Sequence, residues 1–229
     1  MKNKKMENLS KKMNKKQFLE KYAILIAFFI LLITISVMRP NYLSPSNLIS
    51  VLNQTAINGI LAVGITFVLI TAGIDISIGS VAALSGVVSA MLAGMPVPVA
   101  FTGGILAGGL IGVIIGVLVT KGKLAPYIVT LGFLTIIRGV ALLISGGRPI
   151  SGLDRAYGAL GNGLIFGVIP VPVILFAIVT LIAHIILQHL KIGRHVYAVG
   201  GNPNAAEACG ISANRTKMFV HVVCSLCAG

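Results

Sequence analysis

Long apolar runs, separated by short polar segments, dominate the pattern along the chain. Six of these runs have about 17 to 24 residues each, close to the roughly 20 residues that a helix needs to cross a bilayer. They cover residues 22–38, 48–71, 76–95, 97–120, 127–145 and 168–190. The pattern therefore predicts an all-α bundle of transmembrane helices with six full spans.

A seventh apolar run begins at Met218 and reaches the last residue of the sequence, Gly229. A helix of about 12 residues is about 18 Å long, which is short of the roughly 30 Å hydrocarbon core of a bilayer. We therefore expect the seventh span to be incomplete here. We also expect the chain to be a C-terminally truncated fragment of a longer protein.

Charged residues are almost absent from a long stretch of the chain. Between Arg39 and Lys121 the only charged residue is Asp75. A domain in water needs charged side chains on its surface, whereas membrane lipid solvates apolar ones and rejects charge. With 56% hydrophobic and 10% charged residues, the chain is predicted to lie in a membrane in contact with lipid.

The net charge of +13 is spread unevenly along the chain. Eight of the 18 basic residues are lysines within residues 1–21, and six more fall in connections on the same predicted side. The positive-inside rule then places the basic tail 1–21 and the connection 191–217 in the cytoplasm, and the connection 146–167 outside. The remaining residues, 22–229, are predicted to form one membrane domain. No basic stripe is interleaved with aromatic residues, so a nucleic-acid partner is not predicted.

The connection 191–217 contains a short helix whose two ends are marked in the sequence. Asn202 is a favourable N-cap, and Pro203 suits the first helical position, where its missing N–H costs nothing. Gly210 is the expected left-handed residue at the C-terminal end. So short a helix persists only when it packs on something. Two interpretations follow: a surface helix resting on its own protein, or a docking helix for a cytoplasmic partner.

Asp75 lies between two predicted spans and is flanked by Gly73 and Gly79, which permit a break in the helix. An ionisable group at membrane depth is a functional-site hypothesis by default. Asp75 and Ser77 are therefore predicted to be polar elements of a translocation path or its inner gate. The alternative is that Asp75 is an ordinary turn residue or helix N-cap near the inner surface.

Three amide side chains on the second span, Asn53, Gln54 and Asn58, are candidates for the same path, because their hydrogen-bonding groups suit the hydroxyls of a polar solute. They are equally suited to hydrogen bonds between neighbouring helices. Both interpretations stay open at this point.

Glycine recurs every four residues in the fourth span, at Gly104, Gly108, Gly112 and Gly116. The repeat contains overlapping G-x-x-x-G units, which let two helix backbones approach closely. It predicts a helix-packing surface, and the sequence does not say whether the partner helix belongs to the same subunit.

Signals for an enzyme, a metal site or a cofactor do not stand out. The nearest approach to a phosphate-binding loop is Gly122-Lys123, which is followed by Leu124 and lacks the required upstream glycine. ATP hydrolysis in this manner would need another subunit.

Several ordered stretches resemble the ribose-type ABC importer permeases, which are related to branched-chain amino-acid permeases. They are AGIDISIGS at 72–80, PYIVTLG at 126–132 with Arg-Gly at 138–139, GGRPI at 146–150, and GRHVYAVGGNP at 193–203 with Gly-Ile at 210–211. The resemblance covers the chain from about residue 41 onward. Members of this family continue through several more spans beyond the position of Gly229.

The resemblance implies a permease subunit in a bacterial cell membrane, with a cytoplasmic N-terminus, that forms the path for a ribose-like monosaccharide. It implies a second permease subunit, two cytoplasmic ATPases and an external sugar-binding protein as partners. The helix 203–209 would then be the coupling helix that sits in a groove of the ATPase. The residues implied in ATPase coupling are Arg194, Asn202, Pro203, Ala206, Glu207 and Gly210. Arg148 and Arg155, in the external connection, would pair with acidic groups of the binding protein.

Two other functions remain as alternatives. A secondary transporter would use Asp75 to carry a proton, although a single intramembrane acid gives a thin proton path and such a carrier has no need of a capped cytoplasmic helix. A non-functional truncated membrane fragment is the other alternative.

Overall fold

The computed structural model describes the backbone of residues 15–153 and 155–229. It describes the side chains from residue 22 onward, apart from those of Pro40, Asp154 and Arg155. Most of the predicted basic tail 1–21 therefore lies outside the described residues. The chain divides into two compact units, Met1–Ser50 and Val51–Gly229.

The described residues are overwhelmingly helical, which confirms the predicted all-α membrane bundle. The helices are α1 Lys15–Met38, α2 Pro45–Ile70, α3 Ile78–Met91, α4 Val97–Thr120, α5 Pro126–Ser145, α6 Arg155–Asn162, α7 Val171–His189, α8 Lys191–Gly201, α9 Pro203–Ala208 and α10 Ala213–Ala228. A 3₁₀ turn, Pro40–Leu43, joins α1 to α2, and an antiparallel pair of two-residue strands, β1 Leu164–Ile165 and β2 Ile169–Pro170, precedes α7.

Four of the described helices are long and apolar enough to cross a membrane: α2, α4, α5 and α7. The two other predicted spans correspond to shorter apolar helices, so the count of six full spans stays a prediction. In α1 the apolar part is the shorter Tyr22–Met38, and α3 has 14 residues where a span over 76–95 was predicted. A helix of that length is only about 21 Å long.

The chain before α3 is not helical because α2 is closed by a turn and followed by an extended segment. The N–H groups of Thr71 and Gly73 both donate to the carbonyl of Val68, at 3.1 Å each. Ala72 takes a left-handed conformation with φ of 56°, which ends the α2 hydrogen-bond ladder. Asp75 lies in the extended stretch that follows, at the helix break that the flanking glycines predict.

The first unit is fixed locally around the start of α2. The side-chain amide of Asn47 donates to the carbonyl of Tyr42 at 2.7 Å. The N–H of Asn47 also donates to the hydroxyl of Ser44 at 3.4 Å. These contacts join the 3₁₀ turn to the first turn of α2.

In the second unit, α4 lies between α3 and α10. A Cβ added at Gly108 would lie 2.6 Å from the carbonyl oxygen of Ser225 on α10, and one at Gly112 would lie 2.8 Å from that of His221. Gly104 faces Ser85 and Ser89 of α3 as well as the end of α10, and Gly116 faces Met218. The glycine repeat thus meets a helix of the same chain.

The connection 146–167 is more ordered than a glycine-rich loop. Gly146 and Gly147 both have positive φ and end α5, after which α6 and the small strand pair follow. Tyr157 of α6 stacks on Phe101 with ring centroids 5.2 Å apart, and its hydroxyl donates to that of Ser89 at 2.9 Å. These contacts fasten α6 to the ends of α3 and α4.

Candidate functional site

The connection 191–217 is largely helical, and we call it the polar layer: α8, α9 and the first turn of α10. The seventh apolar helix begins at Ala213 and not, as predicted, at Met218. Its cap is Ser212, whose hydroxyl accepts from the N–H of Arg215 at 3.3 Å. The correction arises because the polar residues Asn214, Arg215 and Lys217 form helical turns outside the apolar run that marked the helix in the sequence.

The short helix α9 has both predicted ends. The side chain of Asn202 accepts from the N–H of Ala205 at 3.1 Å, and Pro203 occupies the first turn. Gly210 has φ of 81°, and the N–H of Ile211 donates to the carbonyl of Ala206 at 2.9 Å. This is a left-handed closure that only glycine adopts without strain.

One side chain seats α9 on its own protein. Ala206 is buried against Val199 of α8 and Ala213 of α10. Of the six residues assigned to ATPase coupling, Ala206 therefore faces inward and holds the helix in place. The others are exposed: Arg194, Asn202, Pro203, Glu207 and Gly210. The layer thus presents a rigid polar face that the described part of the chain does not cover.

Helix α8 attaches this layer to the membrane helices. Val196 belongs to a buried cluster with Phe67 and Val68 of α2 and Val220 of α10. Gly200 lies directly against the carbonyl oxygen of Ile70, where a Cβ would overlap it. Gly200 lets α8 approach the end of α2 closely, and the apolar face of α8 is buried. Helix α8 therefore connects the end of α2 to α9.

Asp75 is 2% exposed and lies inside the chain. One of its carboxylate oxygens accepts from the N–H of Ser77 at 2.9 Å and from the hydroxyl of Ser77 at 2.6 Å. The same residue pair thus forms a local turn before α3, which is the geometry of the turn-residue alternative. Ser77 is fully buried and does not face open space.

Sequence reasoning missed the residue that faces Asp75. His221 of α10 is 2% exposed, and its Nδ1 lies 3.5 Å from the second carboxylate oxygen of Asp75. A signal for it exists in the sequence. His221 and Ser225 are polar residues four apart in an otherwise apolar run, which places them on one helix face.

The amide side chains of α2 lie far from this pair. Asn53 donates to the carbonyl of Gly161 at 3.0 Å, while Gln54 and Asn58 are exposed. By the rise per residue, Asn53 lies about 25 Å and Asn58 about 18 Å before the end of α2, and Asp75 follows that end. The structure does not bring the five predicted path residues together.

Arg148 is exposed just beyond the end of α5 and helps to line a cavity of about 280 Å³ beside α3. The side chain of Arg155 lies outside the described residues. Among the described residues, no group of three or more His, Cys, Asp or Glu side chains could hold a metal ion.

Comparison with known proteins places this architecture in a family. The model of the branched-chain amino acid transport system / permease component family matches residues 47–229. The chain belongs to this family. No solved structure matches it.

Individual members of the family are closely similar to this permease-family chain. The ribose import permease of Haemophilus influenzae is 40% identical over 213 residues, which are 90% of this chain and 66% of that protein. The ribose import permease of Bacillus subtilis is 40% identical, over 99% of this chain and 71% of its own length. The D-allose transport permease of Escherichia coli is 37% identical, over 93% of this chain and 66% of its own length. The chain thus spans about two thirds of the length of these relatives.

Membership and helix composition together make this a multi-pass membrane protein of the transport permease type. The relatives are named as permease proteins.

Proposed function

We propose that this chain is the membrane-spanning permease subunit of an ATP-binding-cassette importer and that it forms part of the path of a simple, ribose-like sugar. The observation that carries the proposal is the similarity to permeases named for ribose, D-allose and L-arabinose, at 33 to 40% identity over at least 90% of this chain. These three sugars each carry several hydroxyl groups on a short carbon skeleton, so the proposed substrate class is a monosaccharide.

The polar layer is the proposed docking site for a cytoplasmic ATPase. Its support is physical: α9 is capped at both ends, is anchored by Ala206, and leaves Glu207 exposed. Arg194 is exposed on α8 in the same layer. A rigid helix that carries an exposed charge suits a partner groove, where charge pairing fixes the register. The same helix is tied to α10, so a displacement of α9 moves a membrane helix as a rigid body.

The exposed amides of α2 are the proposed sugar-contacting groups. Gln54 and Asn58 are four residues apart, so they lie on one face of the helix, and both are exposed. Amide groups both donate and accept hydrogen bonds, as sugar hydroxyls require. Asp75 and Ser77 are buried and bonded to each other, so we assign them a place beside the path rather than contact with the sugar.

The proposed orientation follows the basic residues, with the polar layer in the cytoplasm and the connection 146–167 outside. On the outer side, exposed Arg148 is the proposed contact for an acidic group of a sugar-binding protein. A second permease subunit would complete the path.

The test is sugar uptake by bacterial cells in which this permease is the sole route. Uptake of labelled ribose that stops when ATP is depleted, and persists when the proton gradient alone is collapsed, supports the proposal. Uptake that follows the proton gradient and ignores ATP would instead support a proton-coupled carrier. Competition by unlabelled allose, arabinose and glucose then ranks the substrates.

The proton-coupled carrier gains little from the geometry. Its proton site would be Asp75, which is 2% exposed and already accepts two hydrogen bonds from Ser77. Alternating access requires that such a group meet water. The exposed, capped α9 has no role in that mechanism.

A further inference from the structure

The buried pair Asp75–His221 joins two parts of the chain that the sequence holds far apart. Asp75 lies in the extended segment before α3, and His221 lies on α10, which follows the polar layer directly. Nδ1 of His221 and a carboxylate oxygen of Asp75 are 3.5 Å apart, and each side chain is about 2% exposed. A buried acid and base are costly unless they face each other, so this contact is a specific feature of the packing.

On one side, the pair is connected to α9. Ile211, between α9 and α10, donates to the carbonyl of Ala206 at 2.9 Å, and Ala206 packs on Ala213 at the start of α10. His221 lies about 12 Å further along the same helix, by the rise per residue. A movement of α9 therefore reaches His221 through a continuous helix.

On the other side, the pair is connected to α3 and α5. Asp75 holds Ser77, the residue that precedes α3, through two hydrogen bonds. The neighbouring carbonyl of Ile74 accepts from the hydroxyl of Thr130 on α5 at 3.4 Å. Ser80 of α3 donates to the carbonyl of Leu134 on α5 at 2.9 Å. The segment around Asp75 thus moves with α3 and α5 together.

The two side chains are close to each other, but they do not form a hydrogen bond. Nδ1 of His221 has no hydrogen-bond partner among the described residues, although the carboxylate of Asp75 is 3.5 Å away. A hydrogen bond between such groups forms near 2.7 to 2.9 Å, so a displacement of less than about 1 Å along α10 makes or breaks it. The pair is a joint at which a small movement changes the bonding.

We infer that Asp75 and His221 are positioning residues that link the polar layer to α3 and α5, so that movement of α9 is passed to these membrane helices. This inference rests on the proposed function, because it assigns a route by which the ATPase moves helices of the permease. Neither residue touches the sugar. Loss of the link leaves ATP hydrolysis running without proportionate transport.

The experiment uses the protein in its complete membrane complex, reconstituted in liposomes with the ATPase and the sugar-binding protein. Sugar uptake and ATP hydrolysis are measured in the same sample. Asp75→Asn and His221→Gln each remove one partner with little change in volume. In each variant we expect uptake per ATP to fall about fivefold or more. The double variant should fall no further, because both substitutions disable the same contact.

Ser85→Ala is the matched control. Ser85 lies on α3 and is 1% exposed, and its hydroxyl has no hydrogen-bond partner among the described residues. Loss of this buried hydroxyl should leave uptake per ATP unchanged. Amounts of assembled complex are measured for every variant, because a purely structural role would change the amount and not the ratio.

A normal ratio in either single variant, or effects that add in the double variant, overturns the inference and leaves the proposed function standing. Absence of ATP-driven uptake in the unmodified protein contradicts the proposed function itself. If Asp75→Asn does not assemble, Asp75→Glu keeps the charge and moves the carboxylate by one methylene group. A reduced ratio in assembled Asp75→Glu supports the link, whereas a normal ratio, or failure of both variants to assemble, overturns it.

Discussion

The polar layer and the segment around Asp75 both contact α10. They differ in the exposure of their polar residues. In the layer, Glu207 and Arg194 are exposed and the helix that carries Glu207 is held by one buried alanine. Around Asp75, the ionisable groups of Asp75 and His221 are buried and face each other. In the first region the polar groups are exposed and available to the proposed ATPase. In the second they are paired with each other inside the chain. An exposed charge is therefore the better guide to a docking surface, and a buried pair the better guide to a mechanical joint.

Helix α10 can transmit movement only if it is packed tightly against its neighbours. Gly108→Ala is expected to disturb that packing more than any other substitution considered below. The added Cβ would lie 2.6 Å from the carbonyl oxygen of Ser225, a backbone atom that cannot move aside cheaply. We expect a loss of about 2 kcal/mol or more in the stability of the folded protein. The thermal midpoint of the purified protein in detergent measures it.

Gly132→Ala is the control for that substitution. Gly132 is also a glycine within a membrane helix, but a Cβ there would meet no described atom within 4 Å outside the neighbouring backbone of its own helix. Its midpoint should stay equal or rise slightly, since alanine favours helix more than glycine does. Equal losses at both positions would mean that α10 is not packed against α4 as described.

Glu207→Lys tests the exposed half of the comparison. Reversal of a charge on the open face of α9 should weaken ATPase binding about tenfold through loss of charge complementarity, with no change in the amount of folded permease. Binding of the purified ATPase to permease in nanodiscs measures the affinity. Glu207→Gln, which removes the charge without reversing it, should give a smaller loss. An unchanged affinity in both variants would show that the ATPase does not use this face.

Asn202→Ala should have a milder effect on the same helix. It removes the side-chain acceptor of the Ala205 N–H, a cap worth about 1 kcal/mol. Hydrogen exchange at the amides of α9 should accelerate about fivefold, with little change elsewhere. Ser212→Ala removes the corresponding cap of α10 and serves as the comparison, because its faster exchange should be confined to the first turn of α10. Unchanged exchange in α9 would show that Asn202 does not hold the helix.

The sequence predicted best those features that depend on neighbouring residues. The cap at Asn202 and the left-handed Gly210 are both local, and both are present. Apolar length located α2, α4, α5 and α7 to within a few residues. Apolar length was a poorer guide to α3, mainly because the backbone turns at residues 92–95 although the apolar residues continue there.

Contacts between distant residues could not be predicted from one sequence. His221 was not among the candidate residues, because its importance arises only when α10 packs beside the segment before α3. Ala206 was grouped with the docking residues, since a lone alanine on a short helix gives no sign of which side it faces. In both cases the missing information was tertiary packing.

The most direct test of the account is the rate at which Cys209 is modified by a membrane-impermeant maleimide in inside-out membrane vesicles, with and without the ATPase. Cys209 is exposed beside α9, whereas Cys224 is buried in α10 and serves as the internal control. Cys209 should be modified rapidly in vesicles stripped of the ATPase, and its modification should slow clearly when the ATPase is added back. Modification only in vesicles of the opposite orientation, or a rate that the ATPase does not change, would contradict it.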